Sequence, residues 1–271
     1  MSLNRLQTGA IALLLSAPLA AGAREDAAAL YRQAIEKLPR QQADLELYSR
    51  WSSATPMHQI AAETLRQCEG SFELLHKAAA VESYNWGWAA GDAPGARSAE
   101  LESIERLAQA SALQIRSLFE QKRPSEAAQL FGDVLLLGRR VADCELPDAR
   151  RAGWRVQHVA YVVIARYLPG QPRDLLDRLS HKSAAVSDLR PIPNADDATI
   201  AAQNVNRAER ALFAAAIAVA RDGRAALRGT KDPFADGPFQ YDVQVDGFLL
   251  RSKLNVAGAP VTLRCGPQAF E

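Results

Sequence analysis

Long apolar runs, an excess of either charge, paired cysteines and a catalytic signature are all missing from this 271-residue chain. With 32 Lys and Arg against 31 Asp and Glu, the formal net charge is +1 at pH 7. No whole-chain field therefore draws it to nucleic acid or to an anionic membrane. Arginines gather in "LGRR" and "DARRAGWR", but Asp143, Glu145 and Asp148 dilute them into a solvated helix-end cluster. Beyond the first 23 residues no stretch approaches the ~20 apolar residues that a membrane helix needs, which excludes a later transmembrane span. Cys68, Cys144 and Cys265 have no C-x-x-C spacing, and His58, His76, His158 and His181 are scattered. No metal site and no cofactor is expected from such a pattern. A G-x-S-x-G elbow, H-E-x-x-H, a phosphate-binding P-loop and a dinucleotide fingerprint are absent as well, so no residue is singled out as catalytic. Carboxylate pairs such as Glu100 with Glu102, or Asp196 with Asp197, fit ordinary solvated helix faces.

What is present begins with export. Arg5 supplies a positive start, "GAIALLLSAPLA" an apolar stretch, and "AGA" the small-x-small pattern that signal peptidase accepts. Residues 1–23 are expected to be a signal peptide cleaved near Ala23, leaving a periplasmic or extracellular chain from Arg24. In that oxidising setting one disulfide and one leftover thiol is the simplest arithmetic for three cysteines. Cys68 with Cys144 is favoured among the three pairings, because both fall on helices of one bundle.

From Arg24 the pattern is helical. "REDAAALYRQAIEKLPR" sets Ala27, Leu30, Tyr31, Ala34, Ile35 and Leu38 at three- and four-residue spacing, and Pro39 ends it. "LELYSRW" suggests a short second element. Thr55 with Pro56 opens the next helix, which Gly70 interrupts. After a Gly- and Pro-bearing loop, Ser98 is expected to cap a long helix. Pro124 starts another, and "DARRAGWRVQHVAYVVIARYL" is apolar nearly all round, as a central helix should be. "QPRDLLDRLSHK" gives a shorter helix, "RPIPN" breaks the chain, and Asn194 is expected to cap a final alanine-rich helix. "ALYRQAIEKLP" and "PSEAAQLFGDVLLLGRR" resemble halves of a tetratricopeptide unit, but the ~34-residue period is not kept. The expectation is an irregular antiparallel bundle of about six to eight helices over residues 24–230.

Residues 231–271 differ. "GPFQYDVQVDGFLLRSKLNVAG" alternates like a hairpin with Asp246-Gly247 as its turn. That register pairs Val245 with Phe248 and Val243 with Leu250, and sets Phe239, Tyr241 and Leu254 on the same apolar face. Asp242 would face Arg251 on the other face. "APVTLRCG" adds a third strand with Val261, Leu263 and Cys265 inward, giving a small antiparallel β-meander packed on the helices.

The stretch "DPFADGPFQYDV…DGFLLRSKL" resembles an Asp-Pro-aromatic…Pro-aromatic-x-Tyr…Gly-Phe-x-Leu-x-Ser pattern that closes many uncharacterised exported helical proteins of bacteria. It is also similar to the small β region ending type II secretion pseudopilins. The pseudopilins' N-terminal methylated Phe-Thr-Leu-x-Glu helix is missing, so assembly into a pseudopilus is not implied. Asp232, Asp236 and Asp242 lack the dense spacing of a calcium loop.

Among surfaces, "SYNWGWAAGD" crowds Tyr84, Asn85, Trp86 and Trp88 beside glycine. Such aromatics can stack on a sugar or anchor a partner protein, or they can fold back and plug the bundle. Glu82 is the nearest thing to a glycan-cleaving acid. Taken together, the sequence favours an exported, non-enzymatic scaffold or adaptor of the bacterial cell envelope, its partner another envelope protein. The alternative is a periplasmic ligand-binding or glycan-processing protein that uses the Trp86/Trp88 loop.

Overall fold

Proline and cap chemistry decide where several helices begin. The computed structural model describes residues 26–39, 59–89, 94–186 and 195–267. The signal-like start, "LELYSRW", Thr55, Pro56 and Asn194 lie outside the described residues. Within them run α1 (Ala27–Glu36), α2 (Gln59–Gln67), α3 (Glu69–Ala80), α4 (Pro94–Glu120), α5 (Pro124–Ala142), α6 (Pro147–Ala165), α7 (Arg173–Ala184) and α8 (Asp197–Asp222). A 3-10 turn (Arg224–Gly229) leads towards β1 (Gln240–Gln244), β2 (Gly247–Val256) and β3 (Ala259–Cys265). The chain is thus mainly helical, with a small C-terminal antiparallel sheet packed on the helices.

Pro124 and Pro147 occupy the first turns of α5 and α6, where a missing N–H breaks no helical bond. α4 starts at Pro94, four positions ahead of the expected cap at Ser98. At the start of α8 it is Asp196 whose side chain accepts from Thr199 N, at 2.6 Å. The α2–α3 break falls at Cys68 rather than at Gly70, which continues inside α3.

α5 and α6 form the centre, with α4, α7 and α8 around them and α1 laid on α3. α6 is deeply buried, as its apolar periodicity requires, and α5 is buried to the same degree. Their contact rests on two glycines facing each other. A Cβ on Gly138 would meet the Gly153 carbonyl at 2.7 Å, and one on Gly153 would strike the Gly138 carbonyl and Ala142. Phe131, Tyr161 and Phe213 then interlock α5, α6 and α8, with ring centroids 4.9 to 6.1 Å apart.

The sheet has the order β1-β2-β3, with helix contacts running from α8 to β2 and β3. Phe248, Leu250, Leu263 and Cys265 are buried against it, as is Phe239 ahead of β1. The register differs from the expected one. Val243 pairs with Phe248 and Tyr241 with Leu250, so Val245 and Asp246 form the turn. Gly247 lies inside β2 because a Cβ there would overlap the Cys265 carbonyl. Close strand approach takes precedence over turn preference. This slip of two positions keeps each residue on its face. A helix only ~10 Å across cannot also cover the outermost strand. Val243 is therefore 74% exposed and Val245 fully so, against the expectation that both turn inward. The second turn, Ala257-Gly258, has positive φ at both residues, the primed geometry that suits a tight hairpin.

The expected disulfide does not form: none of the three cysteines is disulfide-bonded. Cys68 precedes α3, whereas Cys144 follows α5, whose Arg140 reaches Ala78 and Val81 at the far end of α3. The twelve residues of α3 span ~18 Å at 1.5 Å each, and bridged cysteines need Cα atoms within ~7 Å. Burial also pushes the Cys265 thiol well above its usual range.

Candidate functional site

Three places gather polar or aromatic side chains: the Trp86 loop, two histidine–carboxylate pairs and the groove beside β1.

The loop of residues 81–89 is tied to the start of α1. Asp26 Oδ1 accepts from Ala28 N at 3.2 Å and from Asn85 N at 2.9 Å, so one carboxylate caps a helix and holds the loop. Trp86 is buried, stacked on Tyr31 at 5.8 Å and on Trp88 at 4.7 Å. Its indole N–H donates to the Arg140 carbonyl at 3.1 Å. Trp88 donates to Glu100 Oε2 at 2.7 Å, and Arg32 pairs with the other oxygen at the same distance. Beneath lies Arg140, a buried cation with no ion pair among the described residues. It donates to the Ala78 and Val81 carbonyls at the end of α3, and to Tyr31 Oη at 3.0 Å. Its guanidinium also faces the Tyr84 ring at 5.3 Å.

Tyr84 donates to Asp143 Oδ2 at 2.5 Å, and burial together with that carboxylate pushes the phenol up to about 12. Burial works to raise Asp143 in turn, but the bonds from Tyr84 and Arg139 outweigh it and hold the carboxyl below its usual range. Of the four loop residues singled out from sequence, only Asn85 is freely exposed; Tyr84 and Trp88 are half-buried. The cavity they border with Cys144 measures only about 170 Å³. The aromatic faces that would stack on a sugar are largely spent on one another. Glu82 is exposed just beyond α3.

Two histidines meet carboxylates from other helices. His76 Nδ1 lies 2.9 Å from Asp133 Oδ2, while Gln129 donates to the other oxygen at 2.9 Å. Burial raises the Asp133 carboxyl, and the His76 bond works against it. His158 Nδ1 lies 2.6 Å from Glu209 Oε1, a bond that raises the imidazole despite partial burial. The partners stand 57 and 51 residues apart, so no sequence motif could have announced either pair. Neither pair is joined by a further donor set: among the described residues no three His, Cys, Asp or Glu side chains could hold a metal ion.

The third place is an open groove of about 790 Å³ between the 3-10 turn and β1. Arg224 and Arg228 line one wall; Phe239, Tyr241 and Asp242 line the other. Arg224 lies over the Tyr241 ring at 5.3 Å. Asp242 is paired with Arg251 at 2.8 Å, the ion pair expected from sequence but reached diagonally across the shifted register. With that acid matched, the two arginines set a positive sign for the groove. Nothing in the linear pattern pointed to them, because they come from a turn that only the fold brings beside β1.

No family model matches the chain, and it matches none of the curated proteins and none of the solved structures.

Proposed function

We propose that this protein is an exported, non-enzymatic adaptor of the bacterial cell envelope that holds an extended, acidic segment of a partner protein along β1. One observation carries the docking mode: β1 is an edge strand, bordering a groove of about 790 Å³ with two exposed arginines, and beside it Val243 and Val245 stand in water. An edge strand presents unpaired N–H and C=O groups, and proteins usually cover such edges or place charge on them. Here the valines are left bare and the nearby charge is positive. A strand added to that edge would close the ladder, set alternate apolar side chains by Val243 and Val245, and place acids near Arg224 and Arg228. The export half of the reading rests on the Arg5, "GAIALLLSAPLA" and "AGA" pattern at the start of the chain. The glycan-binding alternative draws less support, since Trp86 is already buried under its neighbours.

Calorimetric titration of the protein with an alternating Glu-Val hexapeptide tests the docking mode. Saturable binding is expected, weakened about tenfold or more when Arg224→Glu and Arg228→Glu are combined, because like charges then face the ligand. Equal binding of a Lys-Val hexapeptide, or no binding of either, contradicts it.

A further inference from the structure

We infer that the segment held along β1 runs antiparallel to it and carries, in its own N-to-C order, an apolar residue, a neutral residue and an acid. This rests on the docking mode proposed above and adds its direction and the order of its side chains.

The hairpin fixes which residues of β1 do the pairing. Only Val245 and Asp246 join β1 to β2, so the closing pair, Gln244 with Gly247, exchanges both of its main-chain hydrogen bonds. In an antiparallel ladder such pairs alternate with pairs that exchange none. Asp242 opposite Leu249 and Gln240 opposite Arg251 therefore also spend their N–H and C=O groups on β2. Those of Tyr241 and Val243 point the other way, to the edge that no strand covers among the described residues. An antiparallel partner meets them with two of its own residues, two positions apart, each closing two bonds. That pairing is more stable per residue than a parallel one and continues the order of the sheet.

The side chains of the same two residues set the order. They share a face, because side chains along a strand alternate, and the Tyr241 ring stacks there on Phe248 at 5.6 Å. Val243 stands bare on that face, so an apolar side chain opposite it removes both from water. Tyr241 instead lies under the Arg224 guanidinium, 5.3 Å from the ring centroid, and an acid opposite it meets a cation. The partner residue in between turns to the other face, where Arg251 is already matched by Asp242 and a further acid gains little. Running against β1, the partner reaches Val243 before Tyr241. The apolar residue therefore comes first and the acid two positions later.

Calorimetric titration of the full chain with two capped hexapeptides of one composition, Thr-Thr-Val-Thr-Glu-Thr and its reverse Thr-Glu-Thr-Val-Thr-Thr, tests this. The first is expected to bind about fivefold or more tightly than the second. Arg224→Glu should make the protein prefer the first peptide with Lys in place of Glu, an inversion that damage to the fold alone would not produce. Equal or tighter binding of the reversed peptide overturns the direction. An Arg224→Glu protein that still prefers the Glu peptide overturns the placing of the acid. If the alternating Glu-Val hexapeptide binds and neither ordered peptide does, the order fails while docking on β1 stands. If none of the three binds, the docking reading itself fails.

Discussion

The Trp86 loop and the β1 hairpin both put large apolar side chains near the surface, yet the protein treats them oppositely. Trp86 is 6% exposed, its ring stacked on both sides and its N–H bonded to a helix carbonyl. Val243, in β1, and Val245, in the turn after it, are 74% and 101% exposed, and among the described residues no strand pairs with the other side of β1. The difference lies in what stands opposite. α1, α3 and α5 converge on the tryptophan, with Arg140 tying their ends together. Among the described residues only β2 pairs with β1, while α8 covers β2 and β3. Aromatic content is therefore a poor guide to exposed apolar area here: Trp86 in the conspicuous loop is packed inward, and the plain valines stand exposed.

The contrast can be broken by substitution. Trp86→Ala should lose about 3–5 kcal/mol of stability in urea unfolding, the usual range for truncating a buried tryptophan. A loss under about 1 kcal/mol would mean that the loop is a surface feature after all. Gly153→Val should lose about 3 kcal/mol, since any Cβ there strikes the Gly138 carbonyl and the α5 backbone. Val245→Ser should change stability by no more than about 0.5 kcal/mol, as expected for an exposed turn residue. A larger loss would place that valine under cover.

Periodicity carried most of the helical layout, because a helix that must bury one face records that face in its spacing. Tyr31, Ile104, Leu107 and Ile164 are all fully buried, as that spacing requires. Boundaries were less legible: Pro94 and Asp196 displaced the expected caps, since a start signal competes with others nearby. The hairpin's existence was readable, but its turn was not. Gly247 looks like a turn glycine in isolation and is needed instead where β3 crosses close by. Asp232 shows the same limit. It is fully buried and accepts from Ser252 Oγ at 2.9 Å, Lys253 N at 2.6 Å and Phe234 N at 3.0 Å, so it clamps the irregular stretch of β2. From sequence it was only one acid in a turn-rich run. Arg224 and Arg228 escaped notice for the same reason: elements distant in sequence meet there.

Amide hydrogen exchange, followed by mass spectrometry with and without the Glu-Val hexapeptide, tests the free edge most directly. The account predicts strong protection in α5 and α6, intermediate protection in β2 and β3, and fast exchange in residues 240–244 that slows when the peptide is added. Protection of β1 equal to that of β2 in the protein alone would show that the edge is already covered, and would contradict the account.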